Sequence, residues 1–482
     1  LNCYAENRLV NAGVLPALIL AGVALAQAHL YAAPPLAMDE LERRFGGPQA
    51  IEQVVRLLES DDPTVRRLAA QAITEFGPSS GMNAQTILGF VRDEDAVVRG
   101  HIVRATGEIG TQKSTLAEVE RCLSDPAWFV RSAAATALGV AGQSAEKSCP
   151  RLVKVLIEDD STNVAHAAAN ALGEIGLTQQ DDIEGVVKVV VDPSLDSRVR
   201  IASARALWTC SMPEAARSRL RAALPDVVDD RTSALKADTD SARESLMVQL
   251  ATIVAVARSD FDPRYARFLM AAGKANLSYE PIVEEVADGL GCLGEKGRDG
   301  VPFLLDVINQ WQKDKFVLYN ASQSAIRALG RVAPNDPRVI QALRGAITAD
   351  FDQHAEAAIS SLKMSKDSEA TDILRQSMNM PSPRVRLLAA QAYFSRTSDA
   401  ERVLPVAIGI LQTPEENVLA PTITGFSRRR AMARLRRNAV SLLGDIGPPA
   451  REALPLITPL ADDAFRDLGQ SVEQALIKIR RD

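Results

Sequence analysis

Few residues in this 482-residue chain have the type and spacing for chemistry, and most of those stand where chemistry is hard to arrange. "GPSSG" (77–81) matches G-x-S-x-G, which exposes a nucleophilic serine when a strand precedes it and a helix follows. Ser79 instead follows a helix end, in a turn of Gly, Pro and Ser, so the match reads as coincidence. "GLGCLG" (289–294) matches G-x-G-x-x-G, a pyrophosphate cradle only where the glycines leave a strand and open a helix. Here they close a helix, and close helix packing accounts for them. Within residues 49–482 the histidines are His101, His166 and His354, with no i,i+4 pair to hold a metal. Cys3, Cys122, Cys149, Cys210 and Cys292 are widely separated, without C-x-x-C, and read as small buried hydrophobes. A Cys122–Cys149 bridge stays open as an alternative. Carboxylates are plentiful, yet no pair stands out as an acid/base couple. The expectation is no catalytic residue, no metal ligand and no cofactor.

One local anomaly remains. "SRRRAMARLRRN" (427–438) concentrates Arg428, Arg429, Arg430, Arg434, Arg436 and Arg437 in a chain of net charge −6. Guanidinium forks suit phosphate or carboxylate, so this is a candidate anion or partner patch. The alternative is a solvated face paired within the chain, with Glu415, Glu416 and Asp445 as partners. The acidic balance disfavours general nucleic-acid binding.

The elements that must position these residues recur. "DDPTVRRLAAQAITEFG" (61–77) is followed by "DEDAVVRGHIVRATGEIG" (93–110), "DPAWFVRSAAATALGVAG" (125–142) and "DDSTNVAHAAANALGEIG" (159–176), then more loosely by "DSRVRIASARALWTCS" (196–211). Arg66, Arg99, Arg131, Ala165 and Arg200 share one register, at intervals of 33, 32, 34 and 35. A period of this size means stacked supersecondary units. In the first unit Asp62 is a good N-cap, Pro63 suits the first helical position, and Gly77 can end the helix. Val65, Leu68, Ala69, Ala72, Ile73 and Phe76 draw one apolar stripe. Upstream, "AIEQVVRLLES" (50–60) supplies a partner helix, as do "QTILGFV" (85–91), "PRLVKVLI" (150–157) and "IEGVVKVVV" (183–191) in later units. Each unit is thus a helix A, a short turn and a helix B. One pair buries too little to stand alone, and stacking makes a continuous core.

The pattern D-P-x-V-R-x-x-A-A-x-A-L-G-x-I-G resembles the HEAT repeat, in particular the short HEAT-like type shared with phycobilin lyases. The resemblance implies an all-α, right-handed α-solenoid (an armadillo-type superhelix) of about twelve helix pairs. It also implies that Arg66, Arg99, Arg131 and Arg200 form a structural ladder with acidic residues of neighbouring units, with Ala165 a missing rung. The His-Glu pairs of deoxyhypusine hydroxylase, a HEAT-type metalloenzyme, are absent.

Residues 1–28 read as a signal peptide or N-terminal anchor, because "GVLPALILAGVALAQA" (13–28) is apolar and followed by small-x-small sites. Residues 29–48 read as a linker, 49–211 as regular repeats, 212–279 as degenerate repeats with an insertion, and 280–482 as repeats with an insertion near 412–435 and a C-terminal cap. The expected location is exported, periplasmic or extracellular, or membrane-anchored by residues 9–28. The expected function is a non-catalytic scaffold or adaptor binding another protein on a concave surface of exposed helix B positions, which in the first unit include Arg67, Gln71 and Glu75. A lyase-type or chaperone-like activity resembling phycobilin lyases is one alternative. Anion or nucleic-acid backbone binding through Arg428–Arg437 is another. Nothing indicates a small-molecule substrate, and a membrane enters only through an uncleaved N-terminal segment.

Overall fold

A computed structural model describes residues 51–77, 82–110, 113–224, 235–347, 351–414, 425–462 and 466–481. The expected leader and linker, Ser79 and the middle of both insertions lie outside these residues. In chain order the helices begin with α1 (Ile51–Arg56), α2 (Pro63–Phe76), α3 (Ala96–Ile109), α4 (Lys113–Arg121), α5 (Trp128–Val140), α6 (Cys149–Glu158), α7 (Thr162–Ile175) and α8 (Gln180–Val191). The middle holds α9 (Ser197–Ala206), α10 (Glu214–Ala223), α11 (Asp240–Ser259), α12 (Pro263–Ala275), α13 (Glu280–Leu293), α14 (Val301–Lys313), α15 (Tyr319–Val332) and α16 (Pro337–Ile347). The last third holds α17 (Asp352–Leu362), α18 (Ser368–Ser377), α19 (Pro383–Thr397), α20 (Ala400–Leu411), α21 (Gly425–Ile446), α22 (Leu454–Ile457) and α23 (Arg466–Ile479).

The helices start and stop for local reasons. Asp62 accepts from the Thr64 amide at 2.8 Å and Pro63 follows at the first helical position. Asp95 accepts from Val97 and Val98 at the start of α3. Gly77 and Gly110 end α2 and α3 at φ 49° and 114°, a region open to glycine but strained for other residues. One expected helix A has another form. Residues 84–92 make two 3₁₀ turns, Ala84–Thr86 and Leu88–Arg92. Asn83 caps the first turn, and Gly89, which has no side chain to pack, sits in the second. Ile87, Leu88 and Val91 are buried all the same, so the turns do the packing work of a helix.

Stacking follows the period. Helix α2 packs on α3, α3 on α5, and each odd-numbered helix on the next odd one to α23, giving a layer of twelve helices among the described residues. Helix α1 and the even-numbered helices from α4 to α22 cover the opposite side of the core. That core is continuous: Ile73, Ile102, Val130, Leu138, Leu172, Val254, Leu290, Leu329, Ile359, Leu443 and Val472 are fully buried along the array. Small residues set the spacing. A Cβ on Gly107 would lie 2.6 Å from that of Ala137, and one on Gly291 would lie 3.1 Å from the Ala328 backbone. The molecule is an α-solenoid, with no strand among the described residues.

Candidate functional site

The register arginines bind across unit boundaries. Arg66 reaches Asp93 (Nε to Oδ2, 3.0 Å), Arg99 reaches Asp125 (2.7 Å) and Arg131 reaches Asp159 (2.6 Å). Each also donates from Nη1 to two carbonyls of its own turn, as Arg131 does to Asp125 and Pro126. The acceptor aspartates in turn receive a backbone amide two residues on, so one carboxylate serves both its own turn and its neighbour. Burial alone would raise the Asp159 carboxyl, but Arg131 and the Ser161 amide hold it below the ordinary range. Ala165 leaves its position empty of charge. Arg200 departs from the expected rung: its Nε donates to the Val190 carbonyl at 3.0 Å, and burial lowers its pKa. The reason is spacing, because α9 ends at Ala206 and the next helix of that layer starts only at Asp240.

The exposed rows of the same layer converge on a hollow. Arg67, Gln71 and Glu75 mark three rows on α2. In α3, α5 and α7 these rows continue as Gly100, Ser132 and His166; as Arg104, Thr136 and Asn170; and as Glu108, Val140 and Glu174. All nine of those residues line one open groove of about 720 Å³. Its floor is small and apolar, with Gly107, Ala133, Ala137, Ala167 and Ala171. Trp128 and Phe129 stand together at the start of α5, rings edge-on at 6.0 Å, and Phe129 fits against α3 because Gly100 has no side chain. On α2 the corresponding side chains satisfy one another: Arg67 donates to Asp95 at 2.7 Å and Gln71 to Glu75 at 3.1 Å.

The groove's polar groups pair mainly with one another. Arg104 and Glu108 pair at 3.0 Å, and the Asn170 amide lies 3.4 Å from the His166 ring nitrogen. Burial, with Arg198 and Arg205 adding to it, lowers the His166 pKa, so the ring is neutral at pH 7. Burial raises the Glu174 carboxyl, which lies over Gly139, where a Cβ would collide with it. No group of His, Cys, Asp or Glu among the described residues could hold a metal ion. Cys122, Cys149, Cys210 and Cys292 are free thiols, and burial pushes Cys122 and Cys149 up to about 11. The third histidine, His354, is fully buried away from the groove, stacked on Trp311.

The arginine cluster lies on α21. Arg434 is exposed, Arg436 and Arg437 are half-buried, and Arg428, Arg429 and Arg430 fall on the first turns with side chains outside the described set. Sequence reasoning missed Trp128, Phe129 and Asn170. The available signal for Trp128 and Phe129 was two adjacent aromatics at positions where the other regular units carry none.

A sequence profile of HEAT repeats matches residues 84–172, 119–208 and 319–393. The chain carries HEAT repeats. The groove lies within the first two, overlapping matched stretches, and α21 lies beyond the last. Solved structures of similar architecture include importin beta crystallised in polyethylene glycol, at 14% identity and TM-score 0.45, over 90% of this chain and 66% of that one. Kap121p bound to Pho4p gives 14% identity and TM-score 0.46, over 97% and 59%. The Kap95:Nup1 complex gives 15% and 0.42, over 95% and 65%. The HEAT-repeat chain spans less than two thirds of each of these. No curated protein sequence matches it.

Proposed function

We propose that this HEAT-repeat protein is a non-catalytic scaffold that holds an extended segment of another protein along the groove over α3, α5 and α7. The observation that carries this reading is the convergence of three exposed rows from three consecutive repeats on one hollow with a small apolar floor. Side-chain amides such as Asn163 and Asn170 can pair with a peptide main chain, which presents one donor and one acceptor per residue. Trp128 and Phe129 supply the aromatic anchors that concentrate binding energy at interfaces.

Selection of displayed peptides on the full chain tests this. Selected peptides should lose about tenfold or more in affinity on Trp128→Ala, and a similar factor on Asn170→Ala, with the melting transition retained. Peptides that bind both variants as tightly as the parent would place the site elsewhere. Turnover of a small molecule at the groove would replace the scaffold reading altogether.

A further inference from the structure

We propose a second, separate docking site: the groove between α19 and α21 takes a peptide segment that combines acidic and apolar side chains. The groove lies at a junction that lacks the glycine spacing several others. In α3, α5, α7, α13, α15 and α21 a glycine eight residues after the register position lets the next helix approach. A Cβ added to it would lie 2.5–3.2 Å from an Ala or Ser of that neighbour, apart from the nearer Glu174 carboxylate at Gly139. Arg386 occupies the register position of α19, since its Nη1 donates to the Met380 and Pro381 carbonyls just as Arg66 does to Ser60 and Asp61. Eight residues on stands Phe394, not glycine. A cavity of about 540 Å³ lies between this helix and the next. Gln391 Nε2 to the Asn438 carbonyl, at 3.3 Å, is the one hydrogen bond crossing it among the described residues.

Helix α21 also begins too early for its layer. Pro63 precedes Arg66 by three residues in α2, whereas Gly425 precedes the register residue Arg436 by eleven. The extra two turns extend about 12 Å further and carry Ala431 of the cavity lining. The lining is sharply mixed. Leu388, half-buried, gives it an apolar side, and Arg384 and Arg434 stand with a single carboxylate, Glu356. Arg384 stands 3.0 Å from Glu356, while Arg434 is exposed and makes no hydrogen bond or ion pair among the described residues.

That combination selects the occupant. The excess of guanidinium, in an acidic chain, calls for carboxylates, which arginine forks bind in plane. Leu388, half-buried, calls for an apolar side chain to cover it. A single-stranded nucleic acid would instead want aromatic faces for its bases, and among the described residues no aromatic lines this groove.

Fluorescence anisotropy of the full chain with a labelled Glu-Leu-Leu-Glu repeat peptide tests the site, with the Lys-Leu-Leu-Lys counterpart and an oligo-dT strand as comparison probes. The expected result is saturable binding of the acidic peptide alone, weakened about tenfold or more by Arg434→Glu and also by Leu388→Asp. Arg434→Glu lies on an exposed turn and leaves the fold intact, so it decides the matter even if Leu388→Asp unfolds. Trp128→Ala should change nothing, which separates this site from the groove over α3, α5 and α7. No binding of the acidic peptide overturns the proposal, as does binding that Arg434→Glu leaves unchanged. Equal or tighter binding of oligo-dT does so too, and points to nucleic acid.

Discussion

At the scale of residues, two buried groups predict how this protein responds to substitution and to acid. Arg131 and Asp159 are 13% and 6% exposed at the side chain, so neither charge is well solvated by water. Arg131→Ala leaves the Asp159 carboxylate and two turn carbonyls uncovered, and should cost roughly 3 kcal/mol in urea denaturation. A loss under about 1 kcal/mol would mean water takes over the rung. His354 works in the opposite sense. It is 0% exposed, stacked on Trp311 at 3.9 Å and 1° with the Tyr319 ring edge at 4.8 Å, and its Nε2 is 2.8 Å from Ser322 Oγ. Burial lowers its pKa to about 4, below the ordinary 6.5. Between those values the unfolded chain binds a proton that the folded one refuses, so stability is complete above pH 6.5 and falls as pH drops towards 4. The full loss is about 3 kcal/mol, and His354→Gln should flatten the dependence of the melting point over that window. An unchanged slope would assign the acid sensitivity to other groups. The ladder carboxylates act in the same direction but only at lower pH, because Asp159 is held below its ordinary range.

Among the elements, the glycine within six helices of the stacked layer decides how closely neighbours approach, and two substitutions of the same kind should have opposite signs. Gly107→Ala gains about 1 kcal/mol of helix propensity, yet its Cβ would stand 2.6 Å from the Ala137 Cβ and 2.8 Å from its Cα. Relieving that clash moves backbone, at roughly 1–3 kcal/mol beyond the gain, so thermal unfolding should come earlier. Gly409→Ala, inside α20 with nothing within 4 Å, keeps the propensity gain and should raise stability by about 1 kcal/mol. If both variants melt alike, glycine is not what spaces the layer. This scale was the most legible in the sequence. The Asp-Pro start, the apolar stripe and the closing glycine each have a local cause, so helix boundaries could be read without knowing the neighbours. Two readings differ from the structure. "QTILGFV" forms 3₁₀ turns, with Ile87, Leu88 and Val91 buried all the same. Arg200 met a backbone carbonyl because the next helix of its layer starts too late.

For the whole molecule, both candidate sites are built from residues of several repeats, and that is why they were not legible in advance. Arg67, Gln71 and Glu75 gave the rows, but a row becomes a groove only when α3, α5 and α7 lie side by side. The α19–α21 cavity, likewise, is lined by residues of α17, α19 and α21 and takes shape only when they stack. The same cavity has a consequence for stability. In a stacked array each unit holds only its neighbours, so the free energy of local opening follows the weakest junction. The α13–α15 junction is tight, with Gly291 against the Ala328 backbone, and so is α21–α23, with Gly444 against Ala475. Between α19 and α21 stands a 540 Å³ cavity crossed by a single hydrogen bond among the described residues. Native-state hydrogen exchange on the full chain should therefore show α21 and α23 opening together, at a lower free energy than α13 and α15. An acidic peptide seated in the cavity should raise that opening energy by RT ln(1 + [L]/Kd), about 2.7 kcal/mol at a hundredfold excess over Kd, and leave α13 and α15 unchanged. Uniform protection along the array would show that the cavity costs nothing, and that α19 and α21 are joined by more than the contacts between their helices.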